Sequence, residues 1–240
     1  MGEVTVDTPK CLASIGGKPM LQWQMAALRE AGIGKISIVT GYKREKLEAY
    51  AGDSVGFYHN PRWAETNMVS SLVTASSVLS GDGCVVSYSD IVYHPSVIKT
   101  LIAAEGDVCV TYDTQWLELW GIRFPDPLED AETFREEGGR LREIGGKPAS
   151  LEQIEGQYMG LLKFTPAGWR GVSGALAALP EDRRGKMDMT SLLSHLLRLG
   201  IPVETVAVRG RWLEVDSVGD IIAYEKKLAG ADTFSHDWRW

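Results

Sequence analysis

The sequence predicts an α/β fold with a Rossmann-like, mixed and mostly parallel sheet flanked by helices. Short apolar runs rich in Val, Ile and Tyr alternate with segments of helical period, and glycines stand where several of those segments end. The composition agrees, because 240 residues with 44% apolar and 24% charged residues describe a globular chain that can bury a continuous core. We expect one domain over 1–240, without internal repeats or long linkers.

The first half of the chain alternates between helices and strands. Glycine after a helical segment and proline at its start are the expected boundary signals. The predicted elements are a helix at 20–31 before Gly32, a strand at 35–40, a helix at 43–50, a strand at 55–60, a Ser-rich helix at 67–79, a strand at 84–90, a helix opened by Pro95 and a strand at 107–113.

The second half starts with an acidic, aromatic stretch at 116–137 that has no strict period, and we interpret it as an excursion from the fold. Regular elements then return. They are a strand at 141–144, a turn at 145–148, a strand at 157–164, helices at 166–178 and 188–199, strands at 203–208 and 211–216, and a helix at 217–229. The tail at 230–240 either packs on a partner subunit or frays.

Charge and cysteine content narrow the classes of function. With 32 acidic against 25 basic residues, the chain gives no electrostatic reason to expect nucleic acid as a partner. The three cysteines, Cys11, Cys84 and Cys109, are an odd number and indicate reduced core thiols. Since no apolar run is long enough for a membrane span and no secretion signal opens the chain, we expect a cytoplasmic protein without a membrane partner. A homo-oligomer is possible.

Three polar positions are candidates for chemistry. Lys10 follows Pro9 in TPKCLASIGGKP, where a cation can meet phosphate, although a solvated lysine beside a turn is the simpler interpretation. Asp90 in SYSDIVYHP and Asp216 in RWLEVDS each follow an apolar strand, at the sheet edge where ligands bind. Two such carboxylates together suit Mg²⁺, which takes one or two carboxylates plus substrate phosphates, while each alone suits a helix N-cap. The four histidines share no metal-ligand spacing, and we expect them on the surface or in the core.

The order and spacing of these segments resemble the nucleotidyltransferases that condense a nucleoside triphosphate with a phosphorylated small molecule. The nearest branch is the phosphocholine cytidylyltransferase group, with its relatives that load CMP onto aminoethyl- or hydroxyethylphosphonates. The matching stretches cover nearly the whole chain: TPKCLASIGGKPMLQWQMAALREAGIGKISIVTGY, NMVSSLVTA, SYSDIVYHP, EIGGKP, GQYMGLLKF and RWLEVDSVGDIIAYE. The resemblance implies a Rossmann-like α/β nucleotidyltransferase domain over 1–240, CTP as donor, Mg²⁺ as cofactor and release of pyrophosphate.

The resemblance also implies roles for individual residues. Lys10 and Lys147 are the expected phosphate-contacting catalytic lysines, and Asp90 and Asp216 are the expected metal ligands. The nucleotide-binding set is Lys10, Asn67, Ser71 and Asp90. An acceptor-binding excursion is expected at about 113–165, and its strand contributes Gln157, Tyr158 and Gly160 beside Lys147.

The aromatic residues favour a compact acceptor with a cationic group. Aromatic faces attract ammonium groups, and a nearby carboxylate adds to the attraction. The candidate faces are Trp116, Trp120, Trp212 and Tyr158, and the candidate charges are Asp113, Glu118 and Asp188. Eight tryptophans must mostly serve packing, so an aromatic cage and ordinary packing both stay open. Gly146 stands where sugar-specific members usually place a glutamate, which disfavours a sugar phosphate.

The resemblance breaks at the start of the chain. Members of the group begin with an apolar strand and a loop of the form L-A-A-G-x-G-x-R, and 1–18 contain neither. A start assigned inside the gene, a shortened chain or loss of the element would explain this, and we favour the first. The expected partners are CTP and a small phospho- or phosphono-acceptor. The alternatives are a sugar 1-phosphate nucleotidyltransferase and a truncated, non-catalytic nucleotide-binding remnant.

Overall fold

The computed structural model describes residues 7–230 and 233–240. The strands are β1 (Ser14–Ile15), β2 (Lys18–Pro19), β3 (Ser37–Thr40), β4 (Gly56–His59), β5 (Cys84–Ser87), β6 (Ile91–Tyr93), β7 (Val108–Asp113), β8 (Phe134–Glu137), β9 (Arg140–Ile144), β10 (Gln157–Phe164), β11 (Glu204–Val208) and β12 (Trp212–Glu214). The helices are α1 (Met20–Glu30), α2 (Arg44–Ala51), α3 (Met68–Thr74), α4 (Ser76–Gly81), α5 (Pro95–Ala103), α6 (Trp116–Arg123), α7 (Pro166–Ala177), α8 (Glu181–Gly185), α9 (Met189–Arg198) and α10 (Val218–Ala229).

A six-stranded mixed sheet in the order β5-β10-β7-β11-β9-β8 forms the centre of the fold. Strands β7 and β11 run parallel, whereas β10 runs antiparallel to both β5 and β7 and lies between them. A separate parallel pair joins β3 to β4, and β12 pairs antiparallel with β6. The predicted mixed α/β sheet flanked by helices is therefore confirmed.

More neighbouring strands of the central sheet run antiparallel than the sequence indicated, because only β7 and β11 pair in parallel there. Strands β8 and β9 are joined by Gly138 and Gly139, whose φ angles of 61° and 78° form a two-residue turn. Such a turn connects antiparallel neighbours only, because parallel strands need a long crossover. The alternation of helices and strands also says nothing about neighbour order, so the antiparallel entry of β10 between β5 and β7 could not be predicted.

Two apolar layers cover the two faces of the sheet. Along β7, Cys109 faces one layer while Val108 and Val110 face the other, as the alternation of side chains in a strand requires. Helices α1, α5, α6 and α10 contribute to the first layer. Helices α3, α4, α7 and α9 contribute to the second. The polar sites described below therefore lie at the ends of strands whose middles are fully buried.

Two predicted elements are each divided in the structure. The helix expected at 67–79 breaks at Ala75, because the Thr74 hydroxyl donates to Ser71 O (2.7 Å) and the Ser76 hydroxyl to Val73 O (2.7 Å), which competes with helical hydrogen bonds. The strand expected at 84–90 ends at Ser87, and a turn that holds Asp90 leads into β6. The aperiodic stretch at 116–137 contains α6, which the sequence did not predict.

The segment before α1 holds the first candidate residue in a compact arrangement. A 3-10 turn at Lys10–Leu12 leads into the hairpin of β1 and β2, closed by Gly16 and Gly17 with φ angles of 58° and 78°. The expected absence of a first strand and glycine-rich loop concerns 1–18, of which 1–6 lie outside the described residues. Cys11 in this turn is buried, which raises the pKa of its thiol to about 12.

The tail packs on the chain's own core. Phe234, His236 and Trp238 are buried, and the ring of Trp238 meets the ring of Trp23 edge-on at a centroid distance of 5.8 Å. Of the two alternatives for the tail, fraying is therefore wrong for 233–240, and packing on a partner subunit stays a prediction. Residues 231–232 lie outside the described residues. No helix of the described part of the chain is long and apolar enough to cross a membrane.

Two glycines of α7 give a matched test of the packing between this helix and the sheet. A Cβ at Gly168 would lie 2.1 Å from the carbonyl oxygen of Asp107, whereas one at Gly171 would meet nothing within 4 Å. We expect Gly168→Ala to lower the free energy of unfolding by about 1–3 kcal/mol through overpacking. Gly171→Ala should raise it by up to about 1 kcal/mol through helix propensity. Urea unfolding measures both, and equal effects would contradict the close contact.

Candidate active site

Lys10 forms the centre of the candidate site. Its Nζ lies 2.8 Å from Asp90 Oδ2 and 2.6 Å from Asp216 Oδ1. The pairing of β6 with β12 continues through the hydrogen bond from Val215 N to Asp90 O (2.9 Å), which brings the two carboxylates side by side at the strand ends. Three predicted residues that are far apart in the sequence therefore meet at one point.

Arg123, which the sequence analysis missed, holds the other side of Asp216. Its side chain is fully buried at the end of α6, and its guanidinium pairs with Glu214 Oε2 at 2.7 Å and with Asp216 Oδ2. Asp220 lies 3.6 Å from Arg123 Nε and also accepts the backbone N–H of Asp216 at 2.8 Å. A lone arginine within the apolar segment WLELWGIR was the available signal, since a buried guanidinium needs carboxylate partners.

Burial and neighbouring charges together shift the pKa values of Lys10 and of the carboxylates near it. Burial lowers the pKa of Lys10, but the charges and hydrogen bonds of Asp90 and Asp216 outweigh this effect and raise the pKa overall. Burial acts to raise the pKa of Asp216, yet Lys10 and Arg123 hold it below its ordinary value. Burial raises the pKa of Glu214 to about 7, against the opposing effect of Arg123. Lys10 is therefore an ammonium and Asp216 a carboxylate at neutral pH.

The residues around Asp90 fit a divalent cation with oxygen ligands. Asp90 Oδ1 is buried and has no hydrogen-bond partner among the described residues. No group of three or more His, Cys, Asp or Glu side chains in the described part of the chain is arranged to hold a metal. Two carboxylates, Asp90 and Asp216, are the number that Mg²⁺ takes when substrate phosphates supply further ligands.

Lys147 lies in the turn after β9, where its ammonium donates to the carbonyl oxygens of Leu128 and Glu129, the latter at 2.9 Å. These contacts tie the turn to the 3-10 segment at Pro127–Glu129. The hydrogen bonds of Lys147 in the structure are therefore structural, and its contact with phosphate stays a prediction.

Asn67 and Ser71 lie at the start of α3. Asn67 Oδ1 accepts the backbone N–H of Met68 at 2.7 Å and so caps the helix, and Ser71 Oγ accepts from the buried amide of Asn60 at 3.0 Å. Asn60 follows β4, so the two predicted residues sit at the end of the β3–β4 pair. Their proposed contact with a nucleotide stays a prediction.

The three tryptophans proposed for an aromatic cage are core residues. Trp116, Trp120 and Trp212 are 5%, 4% and 1% exposed, and Trp120 packs against the other two at centroid distances of 6.0 and 6.4 Å. The indole N–H of Trp120 donates to Asp130 at 3.1 Å. A cage built on these rings is therefore wrong, because their faces are used to fill the apolar layer between α6 and β12.

Gln157 is also buried, and its amide pairs with the backbone of a residue outside its strand. Gln157 Nε2 donates to Glu132 O at 2.7 Å, and Gln157 Oε1 accepts the N–H of Glu132 at 3.2 Å. Gln157 therefore positions Glu132, a residue that the sequence analysis did not single out.

Asp188, another predicted residue, caps α9 by accepting the N–H of Ser191 at 2.8 Å.

Glu132 and Asp188 form a small acidic group around Thr190. The Thr190 hydroxyl lies 3.4 Å from Glu132 Oε1 and 3.4 Å from Asp188 Oδ1. Burial, followed by the charge of Asp188, raises the pKa of Glu132. No lysine or arginine among the described residues forms an ion pair with either carboxylate. Glu132 and Asp188 are both half-buried. Thr190 also lines an open cleft of about 490 Å³, whose lining includes Arg183, Lys186 and Arg198 but neither carboxylate.

Two tyrosines lie near the acidic group. Tyr88 and Tyr158 meet edge-on at a centroid distance of 5.8 Å, and Tyr88 N donates to Gly160 O at 2.9 Å. Gly160 has a φ of 73°, and a Cβ there would lie 2.6 Å from the Tyr88 ring. The absence of a side chain at the predicted Gly160 therefore leaves the space that the Tyr88 ring occupies. Burial raises the pKa of both phenols, so they stay neutral.

Comparison with known proteins relates these features to nucleotide chemistry. Residues 1–198 match the family described as the MobA-like NTP transferase domain. The chain is 32% identical over 231 residues to a CTP:phosphoglutamine cytidylyltransferase of Campylobacter jejuni, which covers 91% of each chain. A 2-aminoethylphosphonate cytidylyltransferase of Lancefieldella rimae is 34% identical over 96 residues, or 38% of each chain.

The inositol-1-phosphate CTP transferase of T. maritima shares the fold. Its structure has a TM-score of 0.73 at 17% identity, over 96% of this chain and 91% of that one. The predicted similarity to nucleotidyltransferases and the predicted fold class are both confirmed by these comparisons.

Arg123 provides a test of the buried charge network. Arg123→Met leaves Glu214 and Asp220 without their cation, and we expect it to lower the free energy of unfolding by about 3–5 kcal/mol at pH 8. Arg142→Met removes an exposed ion pair with Glu137 (3.1 Å) and should leave the urea midpoint unchanged. If both variants unfold at the wild-type urea concentration, Arg123 does not hold the network.

Proposed function

Because the chain belongs to the family of MobA-like NTP transferase domains, we propose that it transfers CMP from CTP to a small acceptor that carries a phosphate or phosphonate group and an amine, with release of pyrophosphate. Nucleotidyl transfer follows from the family, while the donor base and the acceptor are parts of the proposal. The observation that carries it is the contact of Lys10 with both Asp90 and Asp216 at the ends of paired strands.

The chemistry asks the protein for positioning and charge. An oxygen of the acceptor phosphate or phosphonate forms a bond to the α-phosphorus of CTP, and the bond from that phosphorus to the β-phosphate oxygen breaks, so pyrophosphate leaves with the electron pair. The attacking oxygen is already anionic, so no general base is needed. Lys10, held as an ammonium by its carboxylate neighbours, neutralises charge that develops on the phosphates.

Asp90 and Asp216 are the residues that would hold Mg²⁺. When bound there, the ion would neutralise phosphate charge and orient the triphosphate. Asp90 offers the unpartnered Oδ1, and Asp216 is kept ionised by Lys10 and Arg123. In the structure Lys10 bridges the two carboxylates through Asp90 Oδ2 and Asp216 Oδ1.

CTP as donor is supported by relatives that carry cytidylyltransferase names. Both the Campylobacter jejuni and the Lancefieldella rimae proteins are described as cytidylyltransferases. Asn67 and Ser71, at the start of α3, are the side chains that we propose for the base, since both lie beside the polar residues that follow β4.

An amine-bearing acceptor is supported by the acidic group of Glu132 and Asp188. Two neighbouring carboxylates that form no ion pair with a described lysine or arginine favour an ammonium group, because like charges raise the cost of ionising both. Gln157 fixes the backbone of Glu132 with two hydrogen bonds, so the carboxylate stands on a rigid support. The acceptor names of the two cited relatives, phosphoglutamine and 2-aminoethylphosphonate, agree with a nitrogen-containing acceptor.

Gly146 argues against a sugar phosphate. A Cβ at this position would lie 2.7 Å from Thr133 Oγ1, and Gly146 N donates to that same hydroxyl at 3.0 Å. A side chain at position 146 that could bind sugar hydroxyls would therefore require Thr133 to shift. The sugar nucleotidyltransferase alternative keeps the support of distant relatives only, such as a 22% identical glucose-1-phosphate thymidylyltransferase of Streptomyces griseus.

The proposal is tested by measuring pyrophosphate release from each nucleoside triphosphate with Mg²⁺ and a panel of acceptors. The panel holds 2-aminoethylphosphonate, phosphoglutamine, phosphocholine, 2-hydroxyethylphosphonate and glucose 1-phosphate. We expect turnover with CTP and an amine-bearing acceptor. Asp216→Ala should lower kcat by about 100-fold or more, since it removes a carboxylate that supports charge neutralisation.

The matched control is Asp53→Ala, which changes an exposed carboxylate in the 3-10 segment Gly52–Ser54. It should retain wild-type turnover. Turnover with glucose 1-phosphate alone would replace the acceptor assignment by the sugar alternative. Silence of the folded wild-type chain with every pair of substrates would overturn the enzymatic function and favour a non-catalytic remnant.

Glu132 is tested by comparing two acceptors that differ in one group. Glu132→Gln should raise the KM for 2-aminoethylphosphonate by about 10–100-fold, the cost of a charged hydrogen bond. The KM for 2-hydroxyethylphosphonate should change little. Since Glu132 is neutral below its raised pKa, the wild-type KM for the amine should fall as the pH rises through that pKa.

The hydroxyl-bearing acceptor also controls for titration of the phosphonate itself, which both molecules share. Only the difference between the two pH profiles reports on Glu132. Identical profiles for the two acceptors, or an equal rise of both KM values in Glu132→Gln, would remove Glu132 from amine recognition.

A further inference from the structure

We infer that Asp113, Ser235 and His236 are positioning residues for the active site, through which the tail at 233–240 fixes the places of Asp216 and Arg123. This inference rests on the proposed function, since it concerns Asp216, one of the two carboxylates that would hold the metal ion at that site. None of these three residues contacts Lys10 or Asp90, so their effect acts through the elements that carry Asp216 and Arg123.

Asp113 is the hub of this arrangement. It ends β7 and is fully buried, as is His236, and His236 Nε2 lies 2.7 Å from Asp113 Oδ2. Hydrogen bonds from His236, Gly210 and Trp212 together outweigh the effect of burial and lower the pKa of Asp113. An ionised carboxylate only accepts hydrogen bonds, so His236 Nε2 carries the proton and donates it.

The same carboxylate holds the start of β12. Asp113 Oδ1 accepts the N–H of Gly210 at 3.0 Å, and Asp113 Oδ2 accepts the indole N–H of Trp212 at 2.9 Å. Strand β12 then runs directly to Asp216, and Val215 N is tied to Asp90 O at 2.9 Å. A shift of Gly210 and Trp212 is therefore transmitted along a short paired strand to the carboxylate of Asp216.

The tail lies against the same turn from outside. The carbonyl of Ser235 accepts the N–H of Arg211 at 2.9 Å. Gly210 has a φ of 61°, and a Cβ there would lie 2.4 Å from the Ser235 carbonyl oxygen, so the two backbones are in direct contact. The turn before β12 is thus enclosed between Asp113 and the tail.

The tail also contacts the helix that supplies Arg123. The Ser235 hydroxyl donates to Glu118 Oε2 at 2.8 Å, and Glu118 lies in the first turn of α6. Arg123 ends the same helix and pairs with Asp216 and Glu214. Ser235 and its neighbour His236 therefore join the two elements, β12 and α6, that meet at Asp216.

One residue anchors the tail to the core, and another positions the residues of the active site. Trp238 is the anchor: it is fully buried, packs against Trp23 and lies over Gly16, where a Cβ would be 3.0 Å from its ring. His236 makes the polar contacts with the framework of the site. A loss of stability and a loss of positioning can therefore be separated by substitution.

The test compares His236→Ala with His236→Gln, whose amide can donate to Asp113 in place of the imidazole. Binding of Mn²⁺ to the chain without nucleotide, kcat for CMP transfer, and amide hydrogen exchange at 210–216 are measured. We expect His236→Ala to weaken Mn²⁺ binding and to lower kcat, each by about 10-fold or more, as loss of a supporting contact does in metal sites. Exchange at 210–216 should speed up, and His236→Gln should restore all three.

Gly168→Ala is the control for stability alone, because its clash lies in α7, away from the tail. It should lower the free energy of unfolding and leave Mn²⁺ affinity unchanged. Any faster exchange at 210–216 in this variant should match its loss of global stability, whereas His236→Ala should speed exchange there beyond its own loss of global stability. Wild-type exchange at 210–216 in His236→Ala, or an equal loss of Mn²⁺ affinity in Gly168→Ala, would overturn the inference. If the wild-type chain transfers no CMP, the proposed function fails, and the exchange measurement still decides the positioning role.

Discussion

The pairing of Arg123 and Lys10 with a group of carboxylates is the interaction on which this end of the molecule depends. The side chain of Arg123 has no exposed surface, and its charge would be costly to bury without Glu214, Asp216 and Asp220 beside it. The cations in turn act on the carboxylates, because burial raises the pKa of Glu214 and of Asp216 and the charge of Arg123 opposes this effect at both. Strands β6 and β12 and helix α6 are thereby held in one arrangement.

The part of the site that the sequence could predict consists of residues at strand ends. Asp90 and Asp216 follow apolar strands, and that position alone places them at a sheet edge. The sequence could not predict that Arg123 pairs with Glu214, because this contact depends on how α6 and β12 pack together. The sequence left open whether the tryptophans form a cage or fill the core, since composition does not say whether an aromatic face points toward solvent or toward the core.

For the fold as well, the sequence predicted local features but not the order of the strands. Helix boundaries at Gly32 and Pro95 followed from local chemistry, whereas strand order depends on long-range pairing. Strand β10 shows the difference: its eight apolar-rich residues marked a strand, but nothing in them indicated that it would run antiparallel between β5 and β7. Gln157 at its start was expected to contact a ligand, and instead it holds the backbone of Glu132.

The contact of His236 with Asp113 also bears on the order in which the protein can fold during synthesis. The ribosome releases Lys10 and Arg123 well before Asp216, the carboxylate that both of them contact. The turn before β12 is enclosed only after residue 236 has emerged, since its partner Asp113 is 123 residues earlier. The strands and helices of the first half can form while translation continues. The charged end of the sheet closes afterwards, as a late step in folding.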